Sequence, residues 1–456
     1  MNATESAATR KGYDFPTLLY NTILTLLLPA EIIYLVARMA ITGKSRPGLA
    51  ERLGRLPERV HAIGALGEPV IWVHAVSVGE VAAAQPIIAE LRLSIPMAHI
   101  VVSTTTPTGH AYAAKALADA DALFYFPFDF PTVVEKVIVA VHPSLLLLME
   151  TELWPNIIAT AKRHGCKTAL VNGRISDRAY PKDMLVRPLY RWVLRNVDLM
   201  CAQSQVDADR LTALGAEPDR LQVTGNSKFD EAFPEVTAAE AAKLRSDFSI
   251  PDDAQVFVAG STWEGEEEAA LRAFTELRRD HPDLHLILAP RHPERGDAIE
   301  RLVYEHGYAA YRRSQAVAQE SEGAPPAPRT SSAEVQVIIL DTIGELARVY
   351  AIADVVFVGK SLTRRGGHNI LQPMAQGKPV LIGPHTNNFR DIADIALREG
   401  AATRVHSVAE LTETAGRLLS SPDEMRTISE RGQAVIAKYG GASKRCAELL
   451  ADLMND

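Results

Sequence analysis

The sequence predicts an α/β fold with two parallel sheets, and three observations support this prediction. From Glu68 onward, short apolar, β-branched runs alternate with longer stretches of helical length. These runs are apolar throughout, which is typical of parallel strands covered on both faces. The pattern stops between Phe233 and Asp253, where Pro234 and Pro251 lie, and then starts again. We therefore expect two Rossmann-like domains that face a central cleft.

Each predicted strand is short, and the loop that follows it is where ligands bind in sheets of this class. The strands of the first half are predicted at Val70–Val73, His99–Ser103, Ala122–Tyr125, Leu145–Met149, Thr168–Val171, Leu199–Ala202 and Leu221–Val223. Those of the second half are predicted at Ala254–Ala259, His285–Ala289, Val335–Leu340, Val355–Val358 and Pro379–Ile382.

The N-terminus differs in composition from the rest of the chain. Phe15 to Ala40 is mainly Leu, Ile, Ala and Val, and about 20 such residues suffice for a helix to cross a bilayer. Basic residues including Arg46 and Arg52 follow, and positive charge keeps that side of a membrane segment cytoplasmic. We expect a membrane anchor that spans or lies in the interface; the alternative is a helix buried against the globular domain. The predicted division is an anchor over residues 1–45, domains over 46–235 and 250–440, and a C-terminal helix over 441–456.

Composition excludes several classes of function. The 456-residue chain carries a formal charge of −8, which argues against a dedicated nucleic-acid binder. Cys166, Cys201 and Cys446 form no CxxC pair, which excludes a disulfide framework and a cysteine zinc site. HExxH, a P-loop and a GxGxxG after the first strand are absent from the sequence. Asp119-Ala-Asp121 and Asp207-Ala-Asp209 lie in alanine-rich context and are predicted to be solvated, so we expect no metal site.

The most informative segment runs from Trp72 to Glu80. Its apolar run ends in a small-residue loop that opens directly into an alanine-rich helix headed by Glu80. A carboxylate at this position faces the ligand edge of the sheet, and Gly79 lets a substrate approach the backbone. The alternative is that Glu80 only offsets the helix dipole.

Two further polar groups follow strands in the first half. Glu150 and Glu152 lie beside Trp154 after a very apolar strand, which predicts either a carboxylate with a perturbed pKa or a hydrogen-bonded structural one. Lys228 lies near the domain boundary, within reach of a leaving phosphate; the alternative is an ordinary surface lysine. The loop Ser103 to Gly109 is rich in hydroxyl groups and suits sugar hydroxyls.

Anion-binding features follow strands in the second half. Pro290 and Pro293 stiffen a loop in which Arg291 offers a planar fork to a phosphate. The segment Ile343-Gly344-Glu345 suits a planar base or a phosphate, and a helix cap formed by Asp341 or Thr342 explains it equally well.

The paired glycines Gly366 and Gly367 precede a helical segment that begins His368-Asn369-Ile370-Leu371-Gln372. Exposed backbone amides there bind anions, and the amide side chains can hydrogen-bond a ribose or a base. Gly383 to Phe389 follows the next strand on the same edge of the sheet. The alternative of a flexible surface loop explains this clustering poorly.

Together, four motifs resemble those of the bacterial Kdo (3-deoxy-D-manno-octulosonic acid) transferases of lipopolysaccharide biosynthesis. They are His74-Ala-Val-Ser-Val-Gly-Glu80, Glu150-Thr-Glu-Leu-Trp-Pro155, Pro290-Arg-His-Pro-Glu-Arg295, and Gly366-Gly-His-Asn369 with Gly383-Pro-His-Thr386. The resemblance covers nearly the whole chain, with the motifs in order.

The resemblance implies a GT-B glycosyltransferase in which residues 46–235 bind the acceptor and residues 250–440 bind a CMP-sugar. It implies inverting transfer of Kdo from CMP-Kdo to lipid IVA on the cytoplasmic face of the inner membrane, with neither a cofactor nor a bound metal. Glu80 resembles the general base, and Glu150 and Lys228 resemble transition-state stabilisers. The implied CMP contacts are Pro290, Arg291, Ile343, Gly344, Glu345, Asn369, Ile370, Leu371 and Gln372.

The sequence departs from the family pattern at Gln372, where Glu is usual, and at Lys360, where Gly is common; Thr363-Arg-Arg365 is also unusually basic. The competing hypotheses are another GT-B enzyme, either a UDP-sugar transferase or an epimerase, and a non-catalytic lipid A precursor-binding protein. The oligomeric state, the number of Kdo residues transferred and the acceptor's acylation stay open.

Overall fold

The structure is a computed structural model that describes residues 16–26, 48–321, 336–363 and 366–455. The chain forms two compact units. The first comprises Met1–Glu231 together with Tyr439–Asp456, and the second comprises Ala232–Lys438. The chain therefore enters the second unit just before the proline-containing segment and returns to the first unit at its C-terminus.

The first unit contains a parallel sheet whose described strands have the order β3-β2-β1-β4-β5-β6-β7. The strands are β1 Val70–His74, β2 His99–Thr104, β3 Ala122–Tyr125, β4 Leu145–Met149, β5 Lys167–Gly173, β6 Leu199–Ala202 and β7 Leu221–Val223. The helices are α1 (residues 16–26), α2 Leu49–Arg52, α3 Glu58–Gly64, α4 Val78–Ser94, α5 Pro107–Ala116, α6 Pro131–Val141, α7 Pro155–Arg163, α8 Tyr180–Leu185, α9 Arg187–Leu194 and α10 Gln205–Leu214.

The second unit repeats this architecture with the strand order β10-β11-β9-β8-β12-β13-β14. Its strands are β8 Val256–Thr262, β9 His285–Pro290, β10 Ala310–Arg312, β11 Val337–Ile339, β12 Val355–Val358, β13 Val380–Ile382 and β14 Ala402–Arg404. The helices that complete the chain are α11 Ala238–Phe248, α12 Glu266–Leu277, α13 Gly296–Glu305, α14 Arg313–Ser321, α15 Leu346–Val349, α16 Leu371–Ala375, α17 Arg390–Arg398, α18 Val408–Leu419, α19 Pro422–Tyr439 and α20 Ala442–Asn455.

Both sheets are covered on their two faces, as the continuous apolar strands predicted. In the first unit, Trp72 and Leu146 pack into one core, whereas their strand neighbours Ile71 and Leu147 pack into the core of the opposite face. The predicted strands are all found, with ends that shift by a few residues. The edge strands β10 and β14 were not predicted because their sequences, Ala-Tyr-Arg and Ala-Thr-Arg, lack a continuous apolar run.

Strand order reverses at β1/β4 in the first unit and at β8/β12 in the second. Such reversals leave a crevice at the carboxyl ends of the two strands, and ligands of open parallel sheets bind there. The fold therefore points to the loops after β1, β4, β8 and β12 as the places to look for chemistry.

The predicted membrane anchor, residues 1–45, finds no support in the described residues and lies mostly outside them. Of the part described, α1 docks on the first unit: the Tyr20 hydroxyl donates to the Asp129 carboxylate at 3.0 Å, and Asn156 donates to Asn21 at 2.7 Å. Asp129 also accepts the backbone N–H of Asn156, and its burial raises its pKa to about 7. Among the helices of the described ranges, none combines the length and the apolar character that crossing a bilayer requires.

The prediction that both Asp-Ala-Asp sequences are solvated is wrong for Asp207. This residue is 4% exposed, and its carboxylate accepts the Ile175 backbone N–H at 2.9 Å and the Ser204 hydroxyl at 2.5 Å. Asp121 likewise accepts the Ile100 N–H and pairs with Arg92 at 2.9 Å. Both aspartates therefore hold loops, which is a structural role.

The C-terminal helix α20 completes the core of the first unit by packing against α4. Its buried residues include Cys446, Ala447 and Leu450. The Asp230 carboxylate accepts the backbone N–H groups of Gly441 and Ser443 at the start of this helix. The chain terminus is thereby tied to the 3₁₀ turn Ser227–Asp230.

Truncation of a buried α20 side chain should weaken the first unit. Leu450→Ala, at a fully buried position, should lower the free energy of unfolding by about 2–5 kcal/mol, because the lost apolar contacts leave a cavity. Leu93→Ala, on α4 but 77% exposed, is the matched control and should change it by less than about 0.5 kcal/mol. Urea denaturation followed by circular dichroism measures both, and equal effects would contradict the assigned packing of α20.

Candidate functional site

Glu80 closes the turn between β1 and α4. Its Oε2 accepts the Val76 backbone N–H at 2.9 Å, and its Oε1 accepts the Ser77 hydroxyl at 3.1 Å. Ser77 is the N-cap of α4, so the carboxylate lies in the first turn of the helix. These two hydrogen bonds hold the carboxyl group at the carboxyl end of β1.

Burial, with a smaller contribution from the negative charges of Glu150 and Glu152, raises the pKa of Glu80 to about 7. The hydrogen bonds from Val76 and Ser77 oppose it. At neutral pH the side chain is therefore poised between its ionised and protonated forms, which is the condition that best suits a general base.

Glu150 follows β4, the strand that pairs with β1, and adopts a left-handed backbone conformation with φ 52°. Its Oε1 lies 2.9 Å from the Lys228 Nζ, and its Oε2 lies 3.6 Å from the Arg174 Nε. The Glu150 and Lys228 side chains are only 14% and 11% exposed, so this is a largely desolvated ion pair. The structure thus brings Lys228 to the β1/β4 crevice, although 78 residues separate it from Glu150.

A network of side-chain amides fixes Lys228. Asn172, itself left-handed with φ 53°, accepts the Ser227 backbone N–H at 3.0 Å through its side chain. Gln203 donates to the Asn172 carbonyl at 3.0 Å, and Asn226 donates to Gln203 at 3.0 Å. The Ser227 hydroxyl also donates to the Ala83 carbonyl of α4 at 2.8 Å, so the Lys228 turn is tied to the helix that carries Glu80.

Glu152 is the hydrogen-bonded carboxylate that the sequence suggested beside Trp154. The Trp154 Nε1 donates to its Oε2 at 2.9 Å, and burial raises the pKa of Glu152. Glu152 thus contacts a residue two positions along the chain, whereas Glu150 pairs with Lys228, which is 78 residues away.

In the hydroxyl-rich loop Ser103 to Gly109, the Thr106 hydroxyl makes hydrogen bonds within the protein. Thr106 caps α5 by accepting the Gly109 N–H and donates to the Val76 carbonyl at 3.1 Å.

Sequence reasoning missed Arg52, which was grouped with the charges beside the anchor. Its guanidinium donates to the Thr105 carbonyl and lies 5.1 Å from the centre of the Tyr125 ring.

In the second unit, Glu266 organises the β8/β12 crevice. This fully buried carboxylate accepts the Trp263 N–H at 3.0 Å and the N–H groups of Ser361 and Leu362, each at 2.9 Å. It also accepts the Lys360 N–H. Sequence reasoning missed this role, because the loop that Glu266 binds lies 95 residues away.

Glu267 fixes the neighbouring loop after β9. Its Oε1 lies 2.7 Å from Arg295 and accepts the Thr262 hydroxyl at 3.0 Å. The Arg291 N–H donates to the Thr262 carbonyl at 2.9 Å. Pro290 ends β9, and the Arg291 side chain is exposed at this edge.

His368 lies among positive charges. Burial, together with the charges of Arg291, Lys360 and His292, lowers its pKa to about 3, so the imidazole is neutral at pH 7. Its Nε2 is buried and accepts or donates no hydrogen bond within the described residues.

The remaining predicted CMP contacts lie after β11 and at the start of α16. Ile343 is 89% exposed beside Gly344, whereas Ile370 and Leu371 are at most 2% exposed. Asn369 accepts the Leu371 N–H at 2.9 Å, and Gln372 is half-buried on α16.

The helix-cap alternative for the segment after β11 is wrong. Asp341 pairs with Arg312 at 2.6 Å and binds Ser314, and the Thr342 hydroxyl donates to Glu345. The Glu345 carboxylate also pairs with Arg313 at 3.1 Å. Because neither Asp341 nor Thr342 caps α15, the open backbone around Gly344 is available to a ligand.

A search for three or more His, Cys, Asp or Glu side chains arranged around a metal position found none, within the ranges that the structure describes.

Comparisons with known proteins agree on a family. A sequence model described as 3-deoxy-D-manno-octulosonic-acid transferase matches residues 47–231. The 3-deoxy-D-manno-octulosonic acid transferase of Haemophilus influenzae is 31% identical over 94% of this chain and 97% of its own length. The protein of the same name from Bordetella pertussis is 34% identical over 88% of this chain and 90% of its own length.

Solved structures agree on the fold. A glycosyltransferase from Rickettsia africae matches with a TM-score of 0.58 at 13% identity, over 86% of this chain and 99% of that one. The UDP-GlcNAc 2-epimerase of Neisseria meningitidis matches with a TM-score of 0.57 at 13% identity, over 84% of this chain and all of that one. Identities this low show the fold alone, and they confirm two parallel-sheet α/β units of the GT-B type.

Removal of the buried charge at Glu266 should loosen the loop after β12. Glu266→Gln replaces one acceptor oxygen by an NH₂ group that faces backbone donors, and it should lower the free energy of unfolding by about 1–3 kcal/mol. Hydrogen exchange at residues 360–363 should accelerate as well. Glu268→Gln, whose side chain is 44% exposed, is the control; unchanged exchange in Glu266→Gln would contradict the role.

Proposed function

The chain belongs to the 3-deoxy-D-manno-octulosonic acid transferase family and is a glycosyltransferase, and on that premise we propose the reaction that it catalyses. We propose that it transfers Kdo from CMP-Kdo to lipid IVA with inversion at the anomeric carbon. The observation that carries this proposal is a carboxyl group with a pKa near 7, Glu80, at the same sheet edge as the Glu150–Lys228 ion pair.

Glu80 acts as the general base. A sugar hydroxyl is a weak nucleophile until it loses its proton, and a positioned base of matched pKa contributes about 10²–10⁴-fold to the rate. In the proposed step the acceptor oxygen bonds to the anomeric carbon while the bond from that carbon to the CMP phosphate oxygen breaks. The acceptor proton goes to Glu80, and CMP leaves from the opposite face, which inverts the centre.

Glu150 and Lys228 stabilise the charges that develop in this step. Positive charge builds on the sugar as the donor bond breaks, and a fixed carboxylate such as Glu150 favours it. Lys228 neutralises charge on the departing phosphate. Because the two are already paired at 2.9 Å in a largely desolvated setting, little reorganisation is required during the reaction.

The second unit holds the nucleotide. Arg291 offers its guanidinium to the phosphate, and the open backbone at Ile343, Gly344 and Glu345 receives the base. Asn369 and Gln372 hydrogen-bond the ribose, with the amides of Ile370 and Leu371 beside them. Gln372 supplies no negative charge, so its hydrogen bond to the ribose diol is weaker than one from Glu.

We further propose that the reaction takes place at the cytoplasmic face of the inner membrane, where a lipid acceptor is presented, and that it requires no metal. The cations Lys228 and Arg291 take the part that a divalent ion takes in metal-dependent transfer. Activity that survives EDTA and is not restored or raised by Mg²⁺ would support this; loss with EDTA and recovery with Mg²⁺ would contradict it.

The decisive experiment is mass spectrometry of the glycolipid formed from CMP-Kdo and lipid IVA. We expect a mass increase of one or more Kdo residues with the full chain. Product from a UDP-sugar, with stronger protection against melting by UDP than by CMP, would favour a different nucleotide-sugar enzyme. Lipid IVA binding without turnover of any activated sugar would favour a non-catalytic binding protein.

Removal of the base should abolish most of the activity. Glu80→Gln keeps the hydrogen bond from Val76 but cannot accept a proton, so kcat should fall by about 10²–10⁴-fold. Glu90→Gln, farther along α4, is the control and should retain wild-type activity. Transfer by Glu80→Gln at the wild-type rate would remove Glu80 from the mechanism.

The pH dependence should report the raised pKa of Glu80. Only the ionised form accepts a proton, so kcat/KM should rise from acid pH, reach half of its plateau near pH 7, and fall about tenfold per pH unit below that. This limb should be absent from the residual activity of Glu80→Gln. A wild-type limb centred near pH 4.5 would show that burial does not raise the pKa of this carboxyl group.

A further inference from the structure

Lys360 stands at the carboxyl end of β12, beside the strand-order reversal of the second unit. Its backbone is left-handed, with φ 57°, a conformation that favours glycine and is uncommon for a long side chain. A lysine in this backbone conformation is strained, and the conformation persists only where surrounding contacts fix it. The presence of a lysine at this strained position therefore requires an explanation.

The backbone of Lys360 is held from both sides. Its N–H donates to the buried Glu266 carboxylate, and its carbonyl accepts the Gly367 N–H at 2.7 Å. The contact with Glu266 spans 94 residues, so tertiary structure helps to fix the strained conformation. The side chain consequently leaves the loop in a defined direction.

The Lys360 ammonium lies over an aromatic face. Its Nζ is 4.9 Å from the centre of the Trp263 ring, within the range of a cation–π contact. His292 meets the same indole edge-on, with the ring centres 4.8 Å apart. Trp263 thus forms a platform that carries one cation and one imidazole.

Three carboxylates of the neighbouring loops interact with groups other than the Lys360 ammonium. Glu266 accepts backbone N–H groups, and Glu267 pairs with Arg295 at 2.7 Å. Glu294 lies 3.1 Å from His292 and is 72% exposed. In the described part of the chain, Lys360 makes no ion pair with a carboxylate.

Positive groups gather around this platform. The charges of Arg291, Lys360 and His292 all act on His368 and disfavour its protonated form. Arg291 and Lys360 make no ion pair with a carboxylate among the described residues; two such cations repel each other, and an anionic ligand removes that repulsion. Within the second unit, Arg291 was the only residue whose side-chain charge was expected to meet the donor phosphate, so Lys360 adds a second cation there.

We propose that Lys360, held by Glu266 on the face of Trp263, is a donor-binding residue that contacts an anionic group of the sugar nucleotide. The group is either the phosphate or the sugar carboxylate, which share the chemistry that an ammonium recognises. The inference rests on the proposed function and adds to it a residue that determines donor affinity.

The test is the pair Lys360→Met and Lys360→Gly, with CMP binding measured by calorimetry and KM measured with CMP-Kdo. Both variants should raise KM about tenfold, a loss of about 1.4 kcal/mol, with kcat changed less than about twofold. Lys360→Gly should be at least as stable to urea as the wild type, because glycine adopts φ 57° without strain. A merely structural lysine would give the opposite pattern, with lower stability and unchanged KM.

Comparing CMP with CMP-Kdo identifies the anionic group that Lys360 contacts, and a second lysine variant is the control for loss of a positive charge. Weaker binding of CMP itself assigns Lys360 to the phosphate, whereas an effect on CMP-Kdo alone assigns it to the sugar carboxylate. Lys438→Met, which removes a lysine paired with Glu399 at 2.8 Å, should alter neither value. Wild-type Kd and KM in both Lys360 variants would overturn the inference.

The proposal can fail separately from the proposed function. If the wild-type chain makes no Kdo product, the reaction assignment fails, while calorimetry with CMP still reports on Lys360. If product forms normally and neither Kd nor KM responds to loss of the ammonium, the reaction stands and Lys360 is only a surface cation.

Discussion

Buried carboxylates that accept backbone N–H groups are the interaction on which the rest of this structure depends. Parallel strands bond fully to their neighbours, but the loops that leave them carry backbone donors without partners. Glu80 binds the loop after β1, Asp129 the start of α7, Asp207 the loop after β5, and Glu266 the loop after β12. Each carboxylate fixes a loop at the sheet edge where ligands bind, so the same groups stabilise the fold and shape the site.

At Glu80 these two roles compete. Hydrogen bonds from Val76 and Ser77 favour the ionised form, whereas burial and the charge of Glu150 favour the protonated form. Burial is the larger effect, and the pKa rises to about 7. Glu150 instead pairs with Lys228 and lies 3.6 Å from Arg174. One sheet edge thus holds a carboxyl group that can exchange a proton and, beside it, an ion pair.

Much of this could be predicted from the sequence. The apolar runs located the strands because parallel strands buried on both faces cannot alternate, and polar residues after the strands located the ligand edge. Glu80 and Glu150 were found in this way, since Glu150 directly follows β4 and Glu80 begins the helix after β1. Lys228 was marked only by its place near the domain boundary, Glu266 was missed, and Asp207 was wrongly predicted to be solvated.

The sequence by itself therefore determined the fold class, the family and the positions of the strand-end loops, because these depend on local pattern. Tertiary structure alone decided which distant groups meet: Lys228 with Glu150, Glu266 with the Lys360 loop, and α20 with the first unit. It also decided the protonation of Glu80. Pairing and burial are properties of the folded chain, since they depend on contacts between residues that lie tens to hundreds of positions apart.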